Sequence, residues 1–91
     1  MTEVTYYQCT TYLNEEWFFT DGSVETATFS ASAIGTTSAA DTTQRSYELA
    51  FIQATEYLIL NYSDRTYARC ITNIKRDLNV NFGVIPAPSI V

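Results

Sequence analysis

One stretch of this chain, from Ser38 to about Tyr62, carries a sustained helical period, and everything else must be arranged around it. Tyr47, Ala50, Phe51, Ala54, Leu58 and Asn61 recur at spacings of three and four, and Leu49, Ile52 and Ile59 widen the stripe. Gln44, Arg45, Glu48, Gln53 and Glu56 fall mostly on the opposite side. Ser38-Ala39-Ala40-Asp41 has the form of a capping box, and Asp41 also sits well at the positive end of the helix dipole. Turn-formers at Asn61-Tyr62-Ser63-Asp64 end the helix. Tyr47, Phe51 and Leu58 are expected to be its core-facing side chains.

The flanks of the helix read as strands. Seven tyrosines and fourteen threonines bias the composition towards pleated, half-buried surfaces. Residues 4–13 alternate, with Tyr7, Cys9, Thr11 and Leu13 on the face more suited to a core; Asn14-Glu15 is expected to break the run. Trp17-Phe18-Phe19-Thr20 gives a short second strand, and Asp21-Gly22 a tight turn. Val24 to about Ala33 alternates Ala27, Phe29, Ala31 and Ala33 against Thr26, Thr28, Ser30 and Ser32; alanines on one face let a helix approach closely. Thr66–Ile74 and Leu78–Phe82 read as two more strands around a polar turn at Lys75-Arg76-Asp77. The expected fold is therefore α+β, a small antiparallel sheet of about five strands in the order β-β-β-α-β-β with the helix on one face. Residues 1–83 form the domain, and 84–91 an extended, proline-spaced tail that docks on its own sheet or on a neighbouring subunit.

Residue types exclude more than they assign. With no histidine, the commonest general base and metal ligand is missing, and so is every Ser-His or Cys-His nucleophile pair. Three glycines cannot build a phosphate cradle, and Cys9 and Cys70 form no CxxC pair. Glu15-Glu16 read as a solvated turn, and Glu48 and Glu56 as a solvated helix face. No enzyme, metal, cofactor or small-molecule substrate is expected. A net charge of -5 leaves no electrostatic footprint for nucleic acid. No apolar run approaches a membrane span, and residues 1–4 lack the pattern of an export signal. Asn61-Tyr62-Ser63 fits a glycosylation sequon, which has no use without export. A Cys9–Cys70 disulfide would stabilise by about 3–4 kcal/mol, but the missing signal favours two free thiols.

Residues 26–60 resemble a module that recurs in surface proteins of Bacteroidetes and in structural proteins of their phages and of some large viruses. The resemblance lies in the Thr/Ala/Ser strand Thr26–Ala33, the helix start Thr37-Ser38-Ala39-Ala40-Asp41, and the alanine-bearing helix through Ala50 and Ala54. It implies a non-catalytic structural part, located in a virion or in the host cytoplasm before assembly.

The expected function is thus a minor structural or accessory protein of a phage or virus particle, with other copies of itself or other virion subunits as partners. Tyr12, Trp17 and Phe18 on an open sheet face, and Ile85, Pro86, Ile90 and Val91 in the tail, are the expected interface residues. The alternative is a small acidic inhibitor or anti-defence protein that occupies a basic surface of a host protein.

Overall fold

A computed structural model describes residues 2–86. The elements run β1 (Val4–Phe19), β2 (Val24–Gly35), α1 (Ala39–Tyr62) and β3 (Tyr67–Gly83). The strands form one antiparallel sheet in the order β2-β1-β3, and α1 packs on one face of it. The α+β architecture agrees with the sequence reading, but the sheet has three long strands where about five were expected.

Two expected breaks in the strands are absent, each for its own reason. Asn14-Glu15 does not break β1, because the central strand offers each residue partners on both sides. Asn14 pairs with Thr28 and Asn73, Glu15 with Ala27 and Thr72. The Thr28 hydroxyl donates to Asn14 Oδ1 at 2.7 Å, so the polar side chain is satisfied without leaving the strand. Lys75-Arg76-Asp77 likewise stays in β3, opposite Tyr12, Thr11 and Thr10. These charges lie on an edge strand where water reaches them, so strand geometry leaves them solvated.

The hairpin turn is where the sequence placed it. Gly22 has φ +88, the Gly22 amide donates to the Phe19 carbonyl at 3.1 Å, and the Ser23 amide donates to Asp21 Oδ1 at 2.9 Å. The helix start also agrees: Ser38 is the N-cap, and its hydroxyl oxygen accepts from the Asp41 amide at 3.0 Å.

Core packing departs from the expectation. The buried helix positions are Thr42, Ser46, Ala50 and Ala54, a stripe at a strict spacing of four that meets Cys9, Thr11, Leu13, Trp17 and Ala33. Phe51 is 52% exposed, while Tyr47 and Leu58 are half-buried. The helix sits so close to the alanine-bearing face of β2 that only small side chains fit beneath it, and the bulky ones one position on splay sideways. At Gly35 the approach leaves no room for a methyl group: a Cβ there would lie 2.8 Å from Thr42 Oγ1.

An aromatic cluster closes the other end of the helix. Trp17 stacks on Tyr57 at 6.1 Å and meets Phe29 and Tyr62 edge-on. Arg65 covers it, with its guanidinium 3.9 Å above the Phe19 ring and 3.7 Å from carboxylate oxygens of both Asp21 and Glu25. Cys9 pairs with Leu78 and Cys70 with Trp17, so the thiols lie about 27 Å apart along β1 at about 3.4 Å per residue, far beyond disulfide reach. Both are free.

Candidate assembly surface

Side-chain parity divides the sheet into two unlike faces. On β1 the odd-numbered residues Cys9 to Phe19 point towards α1 and are buried. Their partners on β3 point the same way: Ile74 opposite Leu13, Leu78 opposite Cys9, Val80 opposite Tyr7, Phe82 opposite Thr5. No described residue covers this row, because α1 lies across β1 and β2 and barely reaches β3. Val80 is 62% and Phe82 72% exposed.

Length makes the mismatch worse. A strand of 16 residues at about 3.3 Å per residue outruns a helix of 24 at about 1.5 Å. Residues 4–6 of β1 pair with β3 alone, so the sheet ends as a two-stranded ribbon with no cover among the described residues.

Beyond the Ile74 end of the row, a cavity of about 250 Å³ opens between α1 and β3, bordered by Phe51, Leu58, Trp17, Tyr67, Cys70 and Glu15. Glu15, expected in a solvated turn, is instead 6% exposed at the floor of this cavity. Its carboxylate accepts from Thr72 Oγ1 at 2.9 and 3.1 Å and from Cys70 Sγ at 2.9 Å. Partial desolvation, and then the Glu15 hydrogen bond, push the Cys70 thiol above its ordinary value of 9.0. It is therefore a proton donor to Glu15 and a poor nucleophile.

The opposite face is polar and already paired. Thr10 and Ser32 hydroxyls meet at 2.7 Å, and Asn81 Nδ2 donates to Gln8 Oε1 at 3.0 Å. Tyr12 and Phe18 lie on this face, half-buried, and Arg69 sits 4.2 Å above the Phe18 ring. Trp17 does not belong with them. It is 3% exposed under α1, because its odd position points it to the helix side. Ile85 and Pro86 are exposed beyond β3. Ile90 and Val91 lie outside the described residues.

An apolar row thus lies on the helix side of β3, whereas the exposed apolar residues of the open sheet face, Val24 and Ile71, stand apart, and others such as Ile59 and Leu60 belong to α1. The alternation Leu78-Asn79-Val80-Asn81-Phe82 carries the signal, since it puts the three apolar residues on the helix side and the two asparagines on the other. Both faces of β3 are open. Among the described residues no three His, Cys, Asp or Glu side chains group as metal ligands, and no helix is long and apolar enough to cross a membrane. The Asn61 side chain of the sequon donates to the Tyr57 carbonyl at 2.9 Å within the helix. Compared with protein-family models, curated proteins and solved structures, the chain matches none.

Proposed function

We propose that this chain is a non-catalytic assembly subunit that buries the helix side of β3 against another protein. The observation that carries this reading is an inverted balance of apolar residues. Seven apolar residues are buried, three of them alanines, while fourteen large apolar side chains are exposed among the described residues; of these, Ile74, Leu78, Val80 and Phe82 make one row on the helix side of β3. Surfaces of that kind mark contact sites in soluble proteins. The resemblance of residues 26–60 supplies the setting: a minor structural or accessory component of a phage or virus particle.

The acidic-inhibitor reading draws no support from this surface, whose charged groups are the buried Glu15 and the cationic Arg76. Mass spectrometry of purified particles should detect the chain, and a Leu78→Asp/Val80→Asp variant should be excluded from them. Absence of the unaltered chain from the particles overturns the virion setting. Normal incorporation of the double variant overturns the use of this face.

A further inference from the structure

We propose that the occupant of this face is a second copy of the chain, joined antiparallel along the free edge of β3. Residues 67–81 of the two copies pair in a register centred on Ile74, so that Arg76 of each copy reaches Glu15 of the other. The inference rests on the assembly reading and narrows it to a homodimer with a six-stranded sheet.

Charge is the first argument. Glu15 is buried and carries no cation; the ion pairs among the described residues all belong to Arg65. A carboxylate withdrawn from water calls for a countercharge as well as neutral donors. Three of the chain's five Lys and Arg residues, Arg69, Lys75 and Arg76, stand on β3 without a carboxylate partner among the described residues. Arg76 points to the helix side, opposite Thr11, with its guanidinium 5.9 Å from the centre of the Tyr47 ring.

The edge itself is the second. Natural sheets blunt long edges with proline, bulges, covering loops or charged side chains. β3 runs for 17 residues with no proline, its one irregularity lies at the Phe18/Phe19 end of its pairing with β1, and its charges, Arg69, Lys75, Arg76 and Asp77, oppose pairing only in registers that set like charges together. Its free side is a template for another strand.

Register is the third. A two-fold centred on Lys75, Arg76 or Asp77 sets that charge directly against its own copy, which is destabilising. Centring on Ile74 avoids all three clashes. Ile74 then faces Ile74, Leu78 faces Cys70, and Arg76 faces Thr72, the residue that already pairs with Glu15. With strands about 4.8 Å apart, the β-carbons of Arg76 and Glu15 lie about 10 Å from each other, a span their extended side chains bridge. The same register brings Leu78 and Val80 of one copy to the mouth of the other's cavity, beside Tyr67, Cys70 and Leu58. Apolar row and apolar cavity, cation and carboxylate, therefore meet at one place, twice per dimer.

Sedimentation velocity on the full chain should give twice the 10.2 kDa chain mass at micromolar concentration. Arg76→Glu should weaken the dimer at least tenfold, and Arg76→Glu/Glu15→Arg should recover most of the loss by restoring the pair with its signs exchanged. A double variant no better than Arg76→Glu, while still folded by circular dichroism, overturns the contact. A Cys70→Ser/Ile74→Cys chain should oxidise to a covalent dimer, whereas Cys70→Ser/Asn73→Cys should not. This arm does not depend on whether Glu15 variants fold, and a cross-link at Asn73 in place of Ile74 overturns the register. A strictly monomeric chain overturns the homodimer. It leaves the assembly reading intact if the Leu78→Asp/Val80→Asp variant is still excluded from particles.

Discussion

Thr11 and Ser46 share a hydrogen bond of 2.6 Å at the floor of the helix–sheet contact, where both residues are fully buried. The direction of the bond follows from its neighbours. The Ser46 hydroxyl donates to the Thr43 carbonyl at 2.8 Å, so the proton between the two hydroxyls comes from Thr11.

That chain of donors predicts an asymmetry. Ser46→Ala strands the Thr11 hydroxyl in a dry contact and should cost about 1–3 kcal/mol. Adding Thr11→Val removes the stranded group and should recover most of the loss. Urea unfolding of the two variants measures the difference, and equal midpoints for both would refute the pairing.

Gly35 is expected to resist substitution for a reason of space. A methyl group there meets Thr42 Oγ1 at 2.8 Å, and Thr42 is fully buried with its hydroxyl bound to the Ser38 carbonyl. Gly35→Ala should destabilise by about 1–3 kcal/mol. Thermal unfolding of Gly35→Ala beside Gly35→Ala/Thr42→Ser checks the cause, because the smaller partner frees a methyl but keeps the clashing oxygen. The double variant should gain little.

Trp17 anchors the aromatic end of the core. Trp17→Ala should cost about 3–5 kcal/mol, the range for a buried aromatic cut back to a methyl. Trp17→Phe should cost far less, since Tyr57, Phe29 and Tyr62 still have a ring to pack on. Denaturant titration followed by circular dichroism distinguishes them.

Cys70 gives a pH prediction. Its folded pKa lies above the unfolded value of 9.0, so folding favours the protonated thiol. The stability it contributes is complete below the unfolded pKa and is lost as pH rises through the folded one. The unfolding midpoint of the wild-type chain should therefore approach that of Cys70→Ala between neutral pH and about pH 10. A gap that widens instead contradicts the sign of the shift.

The sequence disclosed the local elements well and the long-range ones poorly. Ser38, Asp41 and Gly22 act within a few residues of themselves, so the cap and the turn were visible in composition and spacing. Asn14-Glu15 and Lys75-Arg76-Asp77 looked like breaks because their compensation comes from strands far along the chain, Thr28 for one and open solvent at an edge for the other. Part of the helix stripe differs for a related reason: Ala50 and Ala54 are buried as expected, but Tyr47 and Phe51 stand one position past the buried Ser46 and Ala50. Hydrophobicity alone selects Tyr47, Phe51 and Leu58, whereas the alanine-bearing β2 face selects whatever is small enough to lie beneath the helix. Glu15 could not have been found without the register that buries it.

The two partners of the middle strand also arrive at different times. Phe18 meets Val24 across a short turn, but Val4 meets Gly83 across nearly the whole described chain. The hairpin and the helix that covers it can form as soon as residues 4–62 have been synthesised. The other edge of β1 must wait for β3, and such distant pairings are slow because loop closure precedes any contact that rewards it. During that interval the nascent chain shows a bare strand edge and half of a core. The step that protects it is the docking of β3, the same strand whose far edge pairs with no other strand among the described residues.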